Sequence, residues 1–335
     1  MAATKERARA RMRLIAATRA SLGQLGYEEV ETPALVPAPG MEPHIAAFET
    51  PFVPDRGDGA RRLYLHTSPE YAMKRLVADG WSRIFQLCKV FRNGEVATQH
   101  NPEFTMLELY SAGHDYTGTM ADLERVVEAA VRAAAGDAKL AGPLGPLNCA
   151  APFERLTVQE AFTRHAGVDP FALPDPRKLR EAARRAGVPL FPVSGEHTWS
   201  DVFFEIMLTA VEPHLGRERP TFLVDWPPSE ASLSRLRQGT PTVAERFELY
   251  AQGLELANGF SELTDAAEQR RRLVAEQTER RRLGHAVYPL DEKFLAAVAR
   301  LPECGGVALG IDRLAMLATG AQEISDVLLF PAAEF

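Results

Sequence analysis

Three cysteines in 335 residues, Cys88, Cys149 and Cys304, lie far apart, and none belongs to a Cys-x-x-Cys pair. That scarcity excludes a disulfide framework and a cysteine-built zinc site, and it suits reduced thiols in a cytoplasmic protein. No apolar run is long enough to span a bilayer, so no membrane role is expected. Surplus positive charge is also missing: 38 Lys and Arg stand against 45 Asp and Glu, a formal net charge of −7. Such a balance argues against a surface given over to wrapping nucleic acid. What remains is an ordinary folding composition, 46% hydrophobic and 25% charged, long enough for one large core or two small domains. Basic residues crowd only the start, where Lys5, Arg7, Arg9, Arg11 and Arg13 alternate with small residues as in a transit peptide. The same periodicity runs on through Leu14, Ile15, Leu22 and Leu25, which favours a single amphipathic helix ending near Gly23–Gly26.

The stretch from Ile84 to Tyr110 carries the densest pattern. Ile84 to Phe91 is an apolar run of strand length, Asn93-Gly94 is a turn dipeptide, and alternation restarts at Phe104. Thr105, Leu107 and Leu109 then share one face, while Phe104, Met106, Glu108 and Tyr110 share the other. This reads as an antiparallel hairpin with a long loop and Arg92 at its mouth. A carboxylate in so apolar a strand either faces water or has a partner.

Three further stretches stand out. Leu63 to Thr67 predicts a strand leading into a helix, with Ser68 as N-cap and Pro69 at the first helical position. Arg246 to Leu263 predicts a hairpin turning at Ala251-Gln252, which sets Glu248 directly opposite Glu255. Such a pair either sits on a wet face or holds a divalent cation, and Mg²⁺ favours one or two carboxylates plus substrate phosphates. Gly305 to Leu317 predicts a glycine-bearing strand, then a helix capped by Asp312 with Arg313 in its first turn. An arginine there opposes the helix dipole and is better suited to an anion.

Between these, Tyr27 to Pro33 predicts a strand, 33–54 an irregular proline-rich loop and 55–59 a surface turn. Helices are expected over 119–135, 157–165, 177–186 and 200–215, with a strand over 221–226. A charged helix over 266–284 carries arginine triplets at 270–272 and 280–282, either a solvated face or a dock for an acidic partner.

Phe-Arg-Asn at 91–93 followed by His-Asn-Pro-Glu-Phe-Thr-Met-Leu-Glu-Leu-Tyr at 100–110 closely resembles motif 2 of the class II lysyl-tRNA synthetases. Helix, strand and Pro33 resemble their motif 1, and Gly-Ile-Asp-Arg at 310–313 their motif 3. Across the chain the resemblance is closest to their short paralogues, which lysylate elongation factor P. It implies an α+β class II catalytic core, an antiparallel sheet flanked by helices in one domain, acting as a homodimer. It further implies ATP and Mg²⁺, with α-lysine or (R)-β-lysine as the activated substrate and elongation factor P as acceptor.

By the same resemblance, Arg92 bridges the α-phosphate and the amino-acid carboxylate, and Arg313 takes the γ-phosphate. Phe104 stacks on adenine beside His100 and Asn101, with Asn93, Gly94, Leu249 and Gly310 completing the nucleotide site. Glu248 and Glu255 hold Mg²⁺. Glu108, Tyr110 and Glu262 receive the side-chain ammonium and Glu70 the other amine, with Ser68, Pro69, Glu255, Asn258 and Ala308 around them. The sequence departs from the synthetases at Gly94, where they have Glu (Glu95 follows), and at Ala308, where they have Gly. Motif 1 begins almost at Met1 and no segment reads as an anticodon-binding barrel, so tRNA binding is not expected. A minimal lysine:tRNA ligase and an inactive lysine- or ATP-binding paralogue are the competing readings.

Overall fold

The computed structural model describes residues 3–55, 59–192 and 197–334. Thr4 opens α1 (Lys5–Gln24) by accepting from the Arg7 amide at 3.3 Å. Its buried positions, including Ala10, Leu14, Thr18 and Leu22, recur every three or four residues as one stripe. The strand that follows, β1 (Glu28–Glu29), is far shorter than the expected 27–33. The proline-rich stretch is not irregular throughout. There β2 (Leu35–Val36) and β3 (Glu49–Phe52) flank β4 (Arg61–Leu65) in a small antiparallel sheet. Pro51 is tolerated because β3 is an edge strand. Of the expected turn at 55–59, residues 56–58 lie outside the described residues.

Next come α2 (Glu70–Ala78) and the long hairpin of β5 (Arg83–Phe91) and β6 (Glu103–Ala112). Asp115 caps α3 (Tyr116–Ala135), and Gly136, at φ 92°, ends it. A connector with the short pair β7 (Lys139–Leu140) and β8 (Leu147–Asn148) leads to β9 (Glu154–Thr157) and α4 (Val158–Ala166). Then α5 (Pro176–Arg185), α6 (Trp199–Ile206) and β10 (Thr221–Trp226) follow. The single helix expected over 200–215 instead loosens after Ile206 into a wide turn and then a tight one at Glu212–His214. Pro213 cannot supply the amide that would continue the α-helix. The chain finishes with β11 (Leu236–Arg237), β12 (Val243–Ala251), β13 (Leu254–Ser261), α7 (Ala266–Arg282), α8 (Glu292–Val298), β14 (Cys304–Gly310) and α9 (Ile311–Thr319).

Among the described residues the central sheet has nine strands, ordered β1-β5-β6-β14-β13-β12-β10-β9, with β11 paired to β12. It is mixed rather than wholly antiparallel, because β1–β5 and β9–β10 run parallel. One face is sealed by α1, α3 and α9. Leu14, Leu22, Leu107, Leu109, Leu123, Leu309 and Leu314 have no exposed surface there. Each fully buried leucine contributes about 1.5–3 kcal/mol. A second cluster, with Phe162, Phe203, Leu223 and Trp226, fixes α4 and α6 on β10 and β12. On the opposite face α2 packs over Ile84 and Tyr110, and beside it the central strands line a cavity.

The arginine triplets of α7 do not make a free basic face. Arg280 is buried and donates to the carbonyls of Glu42, Ile45 and Ala286. Arg272 donates to the carbonyls of Ser232 and Ser234, and Arg270, Arg271 and Arg282 pair with Glu292, Glu268 and Glu279. Arg270, Arg271, Arg272 and Arg282 are held by acids on α7 or α8, Arg272 and Arg280 fasten the helix to neighbouring loops, and Arg281 is exposed.

Candidate active site

Strand register explains why a hollow forms on that opposite face. Across β6, β14, β13 and β12, Glu108, Ala308, Asn258 and Glu248 fall in one row. Tyr110, Gly306, Phe260 and Arg246 fall in the next. Large polar side chains on the outer strands thus overhang a middle strand carrying only Ala308 and Gly306. The cavity, about 410 Å³, follows from that size contrast.

At one end lies an acidic floor. Glu108 accepts from the Tyr110 hydroxyl at 2.5 Å and the Ser68 hydroxyl at 2.8 Å. Burial, and then the Glu70 charge, push its carboxyl up to about 8. Glu262 is also buried and pushed up to about 7 by that burial, even with the Lys74 ammonium 2.6 Å away. Lys74, 1% exposed, reaches in from α2 between Glu70 and Glu262. Burial alone would lower its pKa, but Glu262 and Glu70 outweigh that and raise it. The site therefore arrives with one ammonium built in.

At the other end sit the cations. The Arg92 guanidinium lies 5.1 Å from the centre of the Phe104 ring and 3.6 Å from Glu95. Arg313 donates to the Glu255 carbonyl at 2.8 Å and to His100 Nε2 at 2.7 Å. Burial, then the Arg313 charge, hold His100 below its ordinary pKa, which suits a neutral acceptor. Arg246 packs 4.1 Å from the Trp226 ring centre and binds Glu248 at 2.5 Å, while the Tyr250 hydroxyl reaches the other Glu248 oxygen at 2.6 Å. Burial pushes Glu248 up to about 7 against the pull of Arg246 and with the help of the Glu255 charge.

The hairpin register differs from expectation. Glu248 stands opposite Asn258, and Glu255 opposite Tyr250, with a bulge between them. The turn is Gln252-Gly253, one residue later than expected, because both take positive φ there. Asn258 and Glu255 would lie on opposite faces of a regular strand. The extra residue, Leu256, brings Glu255 back to the cavity face. Both carboxylates thus share the site without direct opposition. Among the described residues no group of three or more His, Cys, Asp or Glu could hold a metal ion. A cation between Glu248 and Glu255 would take its remaining ligands from substrate phosphates, as Mg²⁺ does, and the residues present fit that role.

Arg92, His100, Asn101, Phe104, Glu248, Gly310 and Arg313 line the cavity, as do Ser68, Glu70, Glu108, Tyr110, Glu255, Asn258, Glu262 and Ala308. Four expected residues do not. Leu249 points into the apolar core with no exposed surface, because it alternates with Glu248. Asn93 and Gly94 are exposed in the turn beyond Arg92, and Pro69 lines a smaller neighbouring cavity. Two expected caps are also corrected. Ser68 is not the N-cap of α2: Pro69 is, and Ser68, one residue before it, accepts from the Glu70 amide through its hydroxyl. Asp312 lies inside α9 and accepts from Arg11 Nε and the Thr105 amide, each at 2.7 Å. It ties the N-terminal helix to the hairpin. Asn101, though at the cavity, accepts from the Ala332 amide at 2.9 Å. Sequence reasoning gave no role to Lys74, Arg246 or Glu42. The four-residue spacing from Glu70 to Lys74 on α2 was a readable signal.

Residues 2–334 match the family of class II tRNA synthetases (D, K and N). The elongation factor P–(R)-β-lysine ligase of Salmonella paratyphi B is 42% identical over 322 residues, covering 96% of this chain and 93% of that protein. Its counterpart in Salmonella paratyphi A is 43% identical over 307 residues, covering 91% and 88%. The chain belongs to the class II tRNA synthetase family.

Proposed function

We propose that this protein is an ATP-dependent, AMP-forming ligase that activates lysine, with (R)-β-lysine preferred, and transfers it to a lysine side chain of elongation factor P. The observation that carries the reading is one cavity with an acidic, phenol-bearing floor at one end and Arg92 and Arg313 at the other. A diamino acid fits the first end by its ammonium, which donates to Glu108, Tyr110 and Glu262. A triphosphate fits the second. The 42% identity to ligases named for that reaction supports the acceptor.

Two steps then balance. A carboxylate oxygen of the amino acid attacks the α-phosphorus of ATP in line, the bond to the bridging oxygen breaks, and pyrophosphate leaves. The acceptor amine next attacks the acyl carbon, loses a proton, and AMP departs. Arg92 draws the two anions together and Arg313 neutralises the far phosphate, so catalysis rests on positioning and electrostatics. Glu248 and Glu255 would hold Mg²⁺, which adds charge neutralisation on the phosphates. A homodimer, a cytoplasmic setting and independence from tRNA belong to the same reading.

The test is lysine-dependent ATP–pyrophosphate exchange by the purified protein alone, followed by intact mass of elongation factor P. Exchange should occur without tRNA and be abolished by Arg92→Ala or Arg313→Ala, while Glu255→Gln should weaken Mg²⁺–ATP use. Strict dependence on added tRNA would overturn the proposal.

A further inference from the structure

We propose that Glu42 binds the second amine of the substrate, the one nearest the reacting carboxylate, and so helps decide which lysine isomer is activated. This deepens the lysine-activating reading above and rests on it.

Most acids at the cavity already have partners. Glu70 and Glu262 share Lys74, Glu108 has Ser68 and Tyr110, Glu248 has Arg246 and Tyr250, and Glu255 has Arg313. Glu42 differs. It lines the cavity, and its Oε2 is shut away from solvent without a hydrogen-bond partner. A buried carboxylate oxygen left so is costly, and a ligand donor removes the cost.

The loop that carries Glu42 is held in place. Arg280 donates to the carbonyls of Glu42 at 2.6 Å and Ile45 at 2.9 Å, and His285 Nδ1 lies 2.8 Å from the Pro43 carbonyl oxygen. Gly40 makes room for the inward turn. A Cβ there would lie 2.3 Å from Glu42 Oε2 and 3.0 Å from Thr67 Oγ1, itself buried and unpartnered.

Position along the cavity fixes which amine is meant. Burial, then the charge of Glu70, raise the Glu42 carboxyl, while a hydrogen bond from its own backbone amide, and then Arg92 and Arg280, hold it down. Glu42 lines the main cavity together with Ser68, Glu70 and Arg92, the arginine expected to meet the substrate carboxylate, and it also lines the smaller cavity beside Gly40 and Pro69. With the side-chain ammonium on Glu108, Tyr110 and Glu262, the remaining amine comes to Glu42. Glu70, which lines the same cavity, assists it.

The experiment compares exchange kinetics with (R)-β-lysine, α-lysine and ε-aminocaproate, which is lysine without its second amine. Glu42→Gln should lower kcat/KM for the preferred lysine about 10²-fold, the scale for removing one partner of a buried charge pair. It should leave ε-aminocaproate unchanged, so that discrimination collapses. Glu42→Asp keeps the charge and should recover part of the discrimination. Equal losses for lysine and ε-aminocaproate in both variants, or no loss in either, would overturn the inference. An unmutated enzyme that activates no lysine isomer would overturn the activity reading itself, and this inference with it.

Discussion

Replacing Gly306 with alanine should disable amino-acid activation while leaving the nucleotide end of the cavity intact. Gly306 sits on the middle strand directly opposite Tyr110. An added Cβ would lie 2.3 Å from Tyr110 Cε1, 2.4 Å from Glu262 Oε1 and 2.6 Å from Tyr110 Cδ1. Ordinary contact begins about 1 Å further out, and a misplacement of that size costs roughly 10²-fold in rate. The ring cannot easily retreat, since Met73, Val77 and Ile84, each no more than 1% exposed, pack in the same cluster. Overpacking of this kind costs about 1–3 kcal/mol of stability, within reach of a well-packed core. Lysine-dependent pyrophosphate exchange should therefore lose about 10²-fold in kcat/KM, with the melting temperature lowered by a few degrees and ATP affinity unchanged. A variant with normal lysine kinetics would show that Tyr110 and Glu262 do not contact the substrate, and the assignment of the acidic floor would fall.

Other perturbations read different parts of the site. Ala308→Gly removes one methyl between Glu108 and Asn258. A methylene-scale change is worth about 1–3 kcal/mol in discrimination, so the ratio of specificity constants should shift toward α-lysine, and an unchanged ratio would take Ala308 out of contact. Arg11→Ala strips the guanidinium from Asp312, whose side chain is 1% exposed, and should lower urea-unfolding stability by about 3 kcal/mol. A loss under 1 kcal/mol would show the pair to be unimportant. Burial pushes the Glu108 carboxyl up to about 8 and that of Glu262 up to about 7. Below those values protons compete with the substrate ammonium, so KM for lysine should fall as pH rises from about 6 to about 8. A flat KM over that range would refute the competition.

What could be read from the sequence divides by range. The β6 alternation could be read because its two faces differ so sharply: Leu107 and Leu109 in the core, Glu108 and Tyr110 at the cavity. Local strand periodicity suffices for that. The β12–β13 register could not, because a bulge leaves no compositional mark, and Gln252 at φ 55° is an uncommon turn residue. Lys74 and Glu42 escaped for another reason. The Glu70 spacing hinted at Lys74, but its burial depends on Glu262, which follows β13 nearly two hundred residues away in the chain. The role of Asp312 was misjudged likewise, since Arg11 lies 301 residues before it.

The last strand of the described residues lies in the middle of the sheet. β14 separates β6 from β13, so until residue 310 has left the ribosome both partners expose unpaired edges. A nascent chain holds every other strand but lacks the one whose small residues create the hollow. Before β14 is made, those two edges are open to wrong pairing. A chain ending before Cys304 should bind neither substrate and should aggregate, and retained ATP binding by such a fragment would contradict this order of assembly. Activity therefore requires translation through β14.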